Sequence, residues 1–169
     1  MNWYWADPHF WDESIIVYCN RPYLNSKKME IDLVRKYRSV VDPQKDTVYI
    51  VGDLTLAGPQ HQGYVLHIIE QLPGRKIFIM GNHDKLNPFT YVDLGIESVH
   101  TTLDIGKYIL HHDPVASIIA PNRKWLCGHV HIMYKKLKNV VNVGVDVNGY
   151  FPVSEQEVDK LFAEERNII

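Results

Sequence analysis

Apolar and polar positions along the first half of the chain separate strands from helices. Trp3-Tyr4-Trp5-Ala6 is a short aromatic run with strong strand preference, closed by Asp7-Pro8-His9. Residues 10–27 carry no clear period and include Arg21-Pro22, which predicts mostly loop with one helical turn. Met29, Leu33, Tyr37 and Val40, joined by Val34 and Val41, fall at helical spacing from Lys28 to Val41, after a capping Asn25-Ser26. Asp42-Pro43 stops that helix. Thr47–Val51 reads as a second strand running into Gly52-Asp53. From Gln60 to Leu72, Val65, Ile68, Ile69 and Leu72 share one helical face, and Pro73-Gly74 ends it. Ile77–Met80 is a third strand, and Gly81-Asn82-His83-Asp84 follows without a spacer. Strand, helix, strand, helix, strand predicts a parallel sheet with right-handed crossovers.

The second half changes texture. Ser98–Leu103, Tyr108–Leu110, Trp125–Cys127 and Val140–Val145 are short apolar or alternating pieces, separated by turn signals such as Asp104-Ile105-Gly106 and Pro121-Asn122. Ser154-Glu155-Gln156-Glu157 forms a capping box before Val158, Leu161 and Phe162. One domain over residues 1–169 is expected, with two packed sheets and helices outside.

Composition narrows the function. The net charge of -2 lacks the basic signature of a protein that grips nucleic acid polymers. Cys19 and Cys127 stand far apart, which suits reduced, buried thiols. The first ten residues lack a basic region followed by a long apolar one, and no run approaches the roughly 18 apolar residues of a membrane span. A cytoplasmic protein without membrane contact is the expectation.

Polar chemistry collects just after the expected strands. Asp7 and His9 follow the first, Asp53 the second, and Asn82, His83 and Asp84 the third. His111 and His112 follow Tyr108–Leu110, and His129 and His131 follow Trp125–Cys127. In open α/β folds, strand ends are where ligands bind. Imidazole, carboxylate and a neutral amide oxygen together suit divalent transition metals such as manganese, iron or zinc. Asp-x-His and His-x-His spacings let two side chains point the same way. The donors outnumber what one closed tetrahedron needs, which favours two metals sharing a carboxylate.

In this order, Asp7-Pro8-His9, Gly52-Asp53, Gly81-Asn82-His83-Asp84, His112 and Gly128-His129-Val130-His131 resemble the signature of the calcineurin-like metallophosphoesterase superfamily. The likeness is nearest to its small bacterial and phage members, with which Phe10 through Arg21-Pro22 and Asn142–Asp146 also look similar. It implies a four-layer α/β/β/α sandwich of two mixed sheets flanked by helices. By this resemblance Asp7, His9, Asp53 and His131 would hold one metal, and Asp53, Asn82, His112 and His129 the other, with Asp53 bridging. The cofactor implied is a pair of divalent ions, manganese foremost, with iron, zinc, nickel or magnesium as alternatives. A water bridging them would attack phosphorus, His83 would donate a proton to the leaving oxygen, and Asp84 would orient or charge His83 or cap the turn.

Two details depart from the pattern or leave a choice. His111 and His112 face opposite sides of a strand. The family pattern favours His112 as the ligand, with His111 packing or in a supporting position. Pro8 replaces a small hydroxyl residue and would stiffen the loop. Arg21 and Arg123 are candidate phosphate contacts, although most arginines are surface residues. Asn25 reads as a cap and the four tryptophans as core or site-wall residues. Lys135-Lys136-Leu137-Lys138 reads as a solvated hairpin edge. The expected function is hydrolysis of a small phosphomonoester or phosphodiester, nucleotide-derived by preference. The rivals are a metal-binding scaffold without turnover and a nuclease acting on polymers.

Overall fold

The computed structural model describes residues 1–169. The chain opens with strand β1 (Asn2–Trp5), followed by the short helix α1 (Ser14–Tyr18) and the longer α2 (Ser26–Val40). Then come β2 (Thr47–Val51), α3 (Gln62–Gln71), β3 (Arg75–Ile79), α4 (Pro88–Asp93) and β4 (Ser98–His100). Strands β1 to β4 pair in parallel, as the alternation of strands and helices requires.

Helix α2 begins where the Asn25 side chain accepts the Lys28 amide at 2.9 Å, and it buries Met29, Leu33, Val34 and Tyr37. With Val65, Ile68 and Ile69 of α3 these residues cover one face of the first sheet, around Trp5, Val48, Ile50 and Phe78. Helix α4 was not apparent from hydrophobic spacing. Its start is nonetheless marked by Asn87, whose side chain accepts the Thr90 amide at 3.0 Å, and by Pro88 at the first helical position.

The second sheet contains β5 (Thr102–Asp104), β6 (Ile109–His111), β7 (Trp125–Cys127), β8 (Lys136–Leu137) and β9 (Val140–Asn142). Its order is β5-β6-β7-β9-β8, with both parallel and antiparallel pairs. Strand β10 (Val153–Ser154) returns to pair antiparallel with β1, giving the first sheet the order β10-β1-β2-β3-β4. The Ser98–Leu103 run is therefore not one strand. It breaks at Thr101, where the chain leaves β3 as partner and takes up β6. Val140–Val145 likewise ends as a strand at Asn142 and turns into a 3-10 segment over Val145–Val147.

The sheets meet face to face through Tyr4, Ala6, Val51 and Ile79 on one side and Tyr108, Leu110, Leu126, Val141 and Val143 on the other. Helix α5 (Glu155–Ala163), capped by Ser154 as the capping box predicts, adds Val158 and Leu161 to this inner core. The outer face of the second sheet packs Ile109, Trp125 and Val140 against Ala116 and Ala120, in and beside the 3-10 segment Pro114–Ile119. The fold is thus two mixed sheets flanked by helical segments, with the thinnest cover on the second sheet.

The hairpin edge at Lys135–Lys138 is covered rather than fully solvated. Ile168 exchanges two backbone hydrogen bonds with Lys136, and the buried Lys136 ammonium donates to the carbonyls of Glu164 and Arg166. The C-terminal segment thereby shields an edge strand. Among the tryptophans, Trp5 and Trp125 are buried, Trp3 is half-buried, and Trp11 lies partly open against His61 and Tyr64.

Candidate metal centre

Parallel pairing brings the C-terminal ends of β1, β2 and β3 to one edge of the first sheet. A parallel bridge between Ala6 and Gly144 ties that edge to the second sheet, where β6 and β7 also end. Loops from both sheets therefore converge on one spot. Asp7, His9, Asp53, His129 and His131 all adopt positive φ, between 43° and 69°. That conformation is uncommon for residues other than glycine and concentrates at functional sites. Gly52 at φ +88° allows the close approach of His112, whose Nδ1 would lie 2.2 Å from an added Cβ. Gly81 plays the same part for Asp53, whose Oδ1 would also be met at 2.2 Å.

Asp53 sits at the middle. Its Oδ2 lies 3.2 Å from His112 Nε2 and 3.4 Å from His9 Nε2, and its Oδ1 accepts the His83 amide at 2.9 Å. Asn82 Oδ1 stands 3.1 Å from His112 Nε2 and 3.0 Å from His129 Nδ1. The buried Asp7 carboxylate accepts the His129 amide. Asp7, His9 and His131 form one group whose donor atoms lie within 4.8 Å of one another, and Asp7, Asp53 and His112 form a second. Both groups could hold a metal ion.

The outward nitrogens of three imidazoles are held in place. His112 Nδ1 faces the Val51 carbonyl at 2.9 Å, His9 Nδ1 faces Asp12 at 3.0 Å, and His131 Nδ1 faces Asp146 at 3.1 Å. Carbonyl or carboxylate partners of this kind fix the ring and its tautomer, leaving the other nitrogen to a metal. His9 Nε2 is buried and makes no hydrogen bond, although Asp53 is near. An orphaned ring nitrogen beside two buried carboxylates is the arrangement a divalent cation would complete.

Electrostatics points the same way. Asp7, Asp12, Asp53, Asp84 and Asp146 converge here, and Arg21 is the fixed cation buried with them. Burial alone would lower the His9 and His112 pKa values. For His9, the hydrogen bond with Asp12 and the nearby charges of Asp53 and Asp7 outweigh it and hold the ring at about 9. For His112, Asp53 and the charge of Asp7 do the same, also to about 9. Burial works against ionisation of Asp53, but His112 and His9 hold its carboxyl well below the usual carboxylate range. Burial raises that of Asp7 against three nearby histidines. Without metal, protons on two imidazoles supply the positive charge the carboxylates demand.

The preference for His112 over His111 agrees with the geometry, while other expectations resolve differently. His112 faces Asp53, whereas the His111 ring turns to the backbone of Asp113 at 2.9 Å. Asp84 takes the turn-capping role rather than partnering His83. Its carboxylate accepts the amides of Asp53, Leu54 and Gly81, bracing the two loops together, and burial with the Asp53 charge lifts its pKa to about 6. Arg21 is no free phosphate contact, being buried against Asp146 and the carbonyls of Asp7 and Pro8. Arg123 binds Asp104 and the Gly106 carbonyl. The sequence alone assigns no site role to Asp12, to Asp146 within the Asn142–Asp146 stretch, or to Cys19, whose thiol lies within 4.8 Å of the ligand atoms of His131 and Asp146. Asp12 had a local signal, three residues beyond His9.

The centre opens into a cleft of about 710 Å³ lined by His9, Asp53, His83, His129 and His131 on the polar side, with Asp12 and Ser14 nearby. Ile15, Val17, Tyr18 and Leu56 line the rest.

A family model described as calcineurin-like phosphoesterase matches residues 6–168. The chain is 32% identical over 165 residues to the uncharacterized protein MJ1445 of Methanocaldococcus jannaschii, covering 92% of this chain and 88% of that protein. It is 31% identical over 86 residues to the gene 66 protein of Mycobacterium phage L5, covering 51% of this chain and 41% of that one. Among solved structures, the protein of unknown function AQ665 from Aquifex aeolicus superposes with a TM-score of 0.73 at 29% identity, over 95% of this chain and 98% of that one. A match over nearly the whole chain agrees with the paired sheets and the Asp/His cluster at their common edge: the chain belongs to the calcineurin-like phosphoesterase family.

Proposed function

We propose that the chain hydrolyses phosphoesters with two divalent metal ions, manganese foremost, held among Asp7, His9, Asp53, Asn82, His112, His129 and His131. The observation that carries this reading is the position of Asp53, whose one oxygen lies 3.2 Å from His112 and 3.4 Å from His9. A carboxylate so placed suits a bridge between two half-sites. Asp7, His9 and His131 form the first half, and Asn82, His112 and His129 the second. When bound, the ions supply positive charge for the phosphoryl oxygens and an acidified water for attack at phosphorus.

The chain's own residues do the rest. Asp12, the Val51 carbonyl and Asp146 keep His9, His112 and His131 aimed inward. His83 is exposed at the cleft, its ring 5.3 Å from that of His9, and only its main-chain amide is tied down, by Asp53. The imidazole is left free to deliver a proton to the leaving oxygen as the P–O ester bond breaks, yielding the alcohol and the phosphate product.

The test strips the protein of metal, restores Mn²⁺ and follows 4-nitrophenyl monoester and diester hydrolysis. Turnover that needs the metal and falls about 100- to 1,000-fold in Asp53→Asn is expected, the size of loss when one group that stabilises transition-state charge is removed. Turnover that ignores both the metal and the substitution would discard the reading.

A further inference from the structure

One wall of the cleft is apolar, and it is attached to the candidate metal centre. Asp12 makes the connection. Its Oδ2 faces His9 Nδ1 at 3.0 Å, while its Oδ1 accepts the Ser14 amide and hydroxyl and the Ile15 amide at the start of α1. The helix is pinned below by the buried Ile15, yet it leaves Val17 83% and Tyr18 75% exposed. Both are cleft-lining residues, with Ile15 and the half-buried Leu56 beside them. The Tyr18 ring stands 6.0 Å from the His131 ring, edge towards face. Val17 and Tyr18 are thus held open next to the candidate metal centre instead of being packed into the core.

The charge of the cleft lining restricts its ligands further. No lysine or arginine lines the cleft. Arg21, the nearest arginine along the chain to α1, is buried and occupied by Asp146, Asp7 and Pro8. One phosphate can be neutralised by ions at the centre, but a second or third phosphate extending along the cleft would meet no cation. A polynucleotide gains most of its affinity from repeated phosphate contacts, and this lining offers none.

We propose that Ile15, Val17, Tyr18 and Leu56 form a subsite for the flat, apolar organic group of an ester with a single phosphorus, an aryl group or a nucleobase. Polyphosphates and polynucleotides are excluded by the same wall. Aromatic faces of such groups stack on tyrosine, and apolar pockets with a few polar anchors are the usual form of small-molecule sites. This proposal rests on the hydrolase reading above.

Two phosphonates of equal charge separate the claims. Phenylphosphonate and methylphosphonate are titrated calorimetrically into Mn²⁺-loaded protein, and each is also tested as an inhibitor of 4-nitrophenyl phosphate hydrolysis. About tenfold tighter binding of the phenyl compound is expected, in keeping with one base-sized stacking contact. In Tyr18→Ala and in Val17→Ser that ratio should fall towards one. Nucleoside monophosphate should likewise compete better than the corresponding triphosphate. If neither phosphonate binds and no ester is cleaved, the hydrolase reading fails. If both bind equally, if the ratio survives both substitutions, or if triphosphate or oligonucleotide competes best, the subsite proposal is overturned while the hydrolase reading stands.

Discussion

The Arg21 guanidinium grips both oxygens of Asp146, from Nε to Oδ1 and from Nη2 to Oδ2, each at 2.8 Å. The same guanidinium donates to the carbonyls of Asp7 at 2.8 Å and Pro8 at 3.0 Å, and Asp146 in turn holds His131. One buried cation therefore fixes the loop that carries Asp7 and His9 and, through Asp146, the imidazole on the opposite loop. Removing it strands a buried carboxylate, which typically costs about 3–5 kcal/mol. Arg21→Ala is expected to lower thermal stability by that order. Arg21→Lys should fold better, but a point charge cannot replace the bidentate fork. Its Mn²⁺ affinity should fall about 10–100-fold, as when other groups supporting a metal ligand are removed. Differential scanning calorimetry and metal titration check both outcomes.

Protonation of the stripped centre has a definite sign. His9 and His112 have folded pKa values of about 9, above their ordinary 6.5. Their contribution is fully present below about pH 6.5 and is lost as pH rises to about 9. The metal-free protein should accordingly lose stability across that window, and bound metal, which displaces those protons, should remove the loss. Metal affinity should rise over the same interval. Thermal melts of stripped and loaded protein at pH 6, 7.5 and 9 provide the comparison. The lowered Asp53 carboxyl acts at the other end: its contribution is present above about pH 3.8 and is lost as pH falls below it.

Gly52 allows no side chain. A Cβ would lie 2.2 Å from His112 Nδ1, and the backbone is at φ +88°. Gly52→Ala should destabilise the fold by more than about 2 kcal/mol through strain and displacement of the ring. A chemical-denaturation curve reads the loss, and metal titration reads the displaced imidazole.

Asp84 separates bracing from catalysis. Because its carboxylate accepts three backbone amides and none of its hydrogen bonds reaches His83, Asp84→Asn should act on stability and metal affinity. A loss of roughly 1–3 kcal/mol is expected for leaving such amides short of an acceptor. The pH profile of kcat should keep its shape. A shifted profile with unchanged stability would return Asp84 to the role of His83's partner.

The sequence was informative where its signals were local and repeated. The burial of Met29, Leu33 and Tyr37 on α2 and of Val65, Ile68 and Ile69 on α3 follows from helical spacing alone. The convergence of Asp7, Asp53 and Asn82 follows from parallel strands that end at one edge. Thr101 shows the limit. The alternation runs straight through it, while the hydrogen-bond partners change from one sheet to the other. Arg21 and Asp146 are 125 positions apart, and nothing near either one announces the pair. Asp84 leaves two roles open in the sequence, partner of His83 or cap of the turn, and the carboxylate, pointing back to the amides of Asp53 and Gly81, takes the second.

On the proposed reading, two metal ions around Asp53 make this chain a phosphoesterase. The most direct test of that reading is stepwise addition of Mn²⁺ to stripped protein, with bound metal and 4-nitrophenyl ester hydrolysis measured on the same samples. Little turnover with one equivalent bound, full turnover as the second binds, and loss of that second step in Asp53→Asn are expected. Saturation at two equivalents without hydrolysis, or hydrolysis complete with a single ion, would contradict that reading.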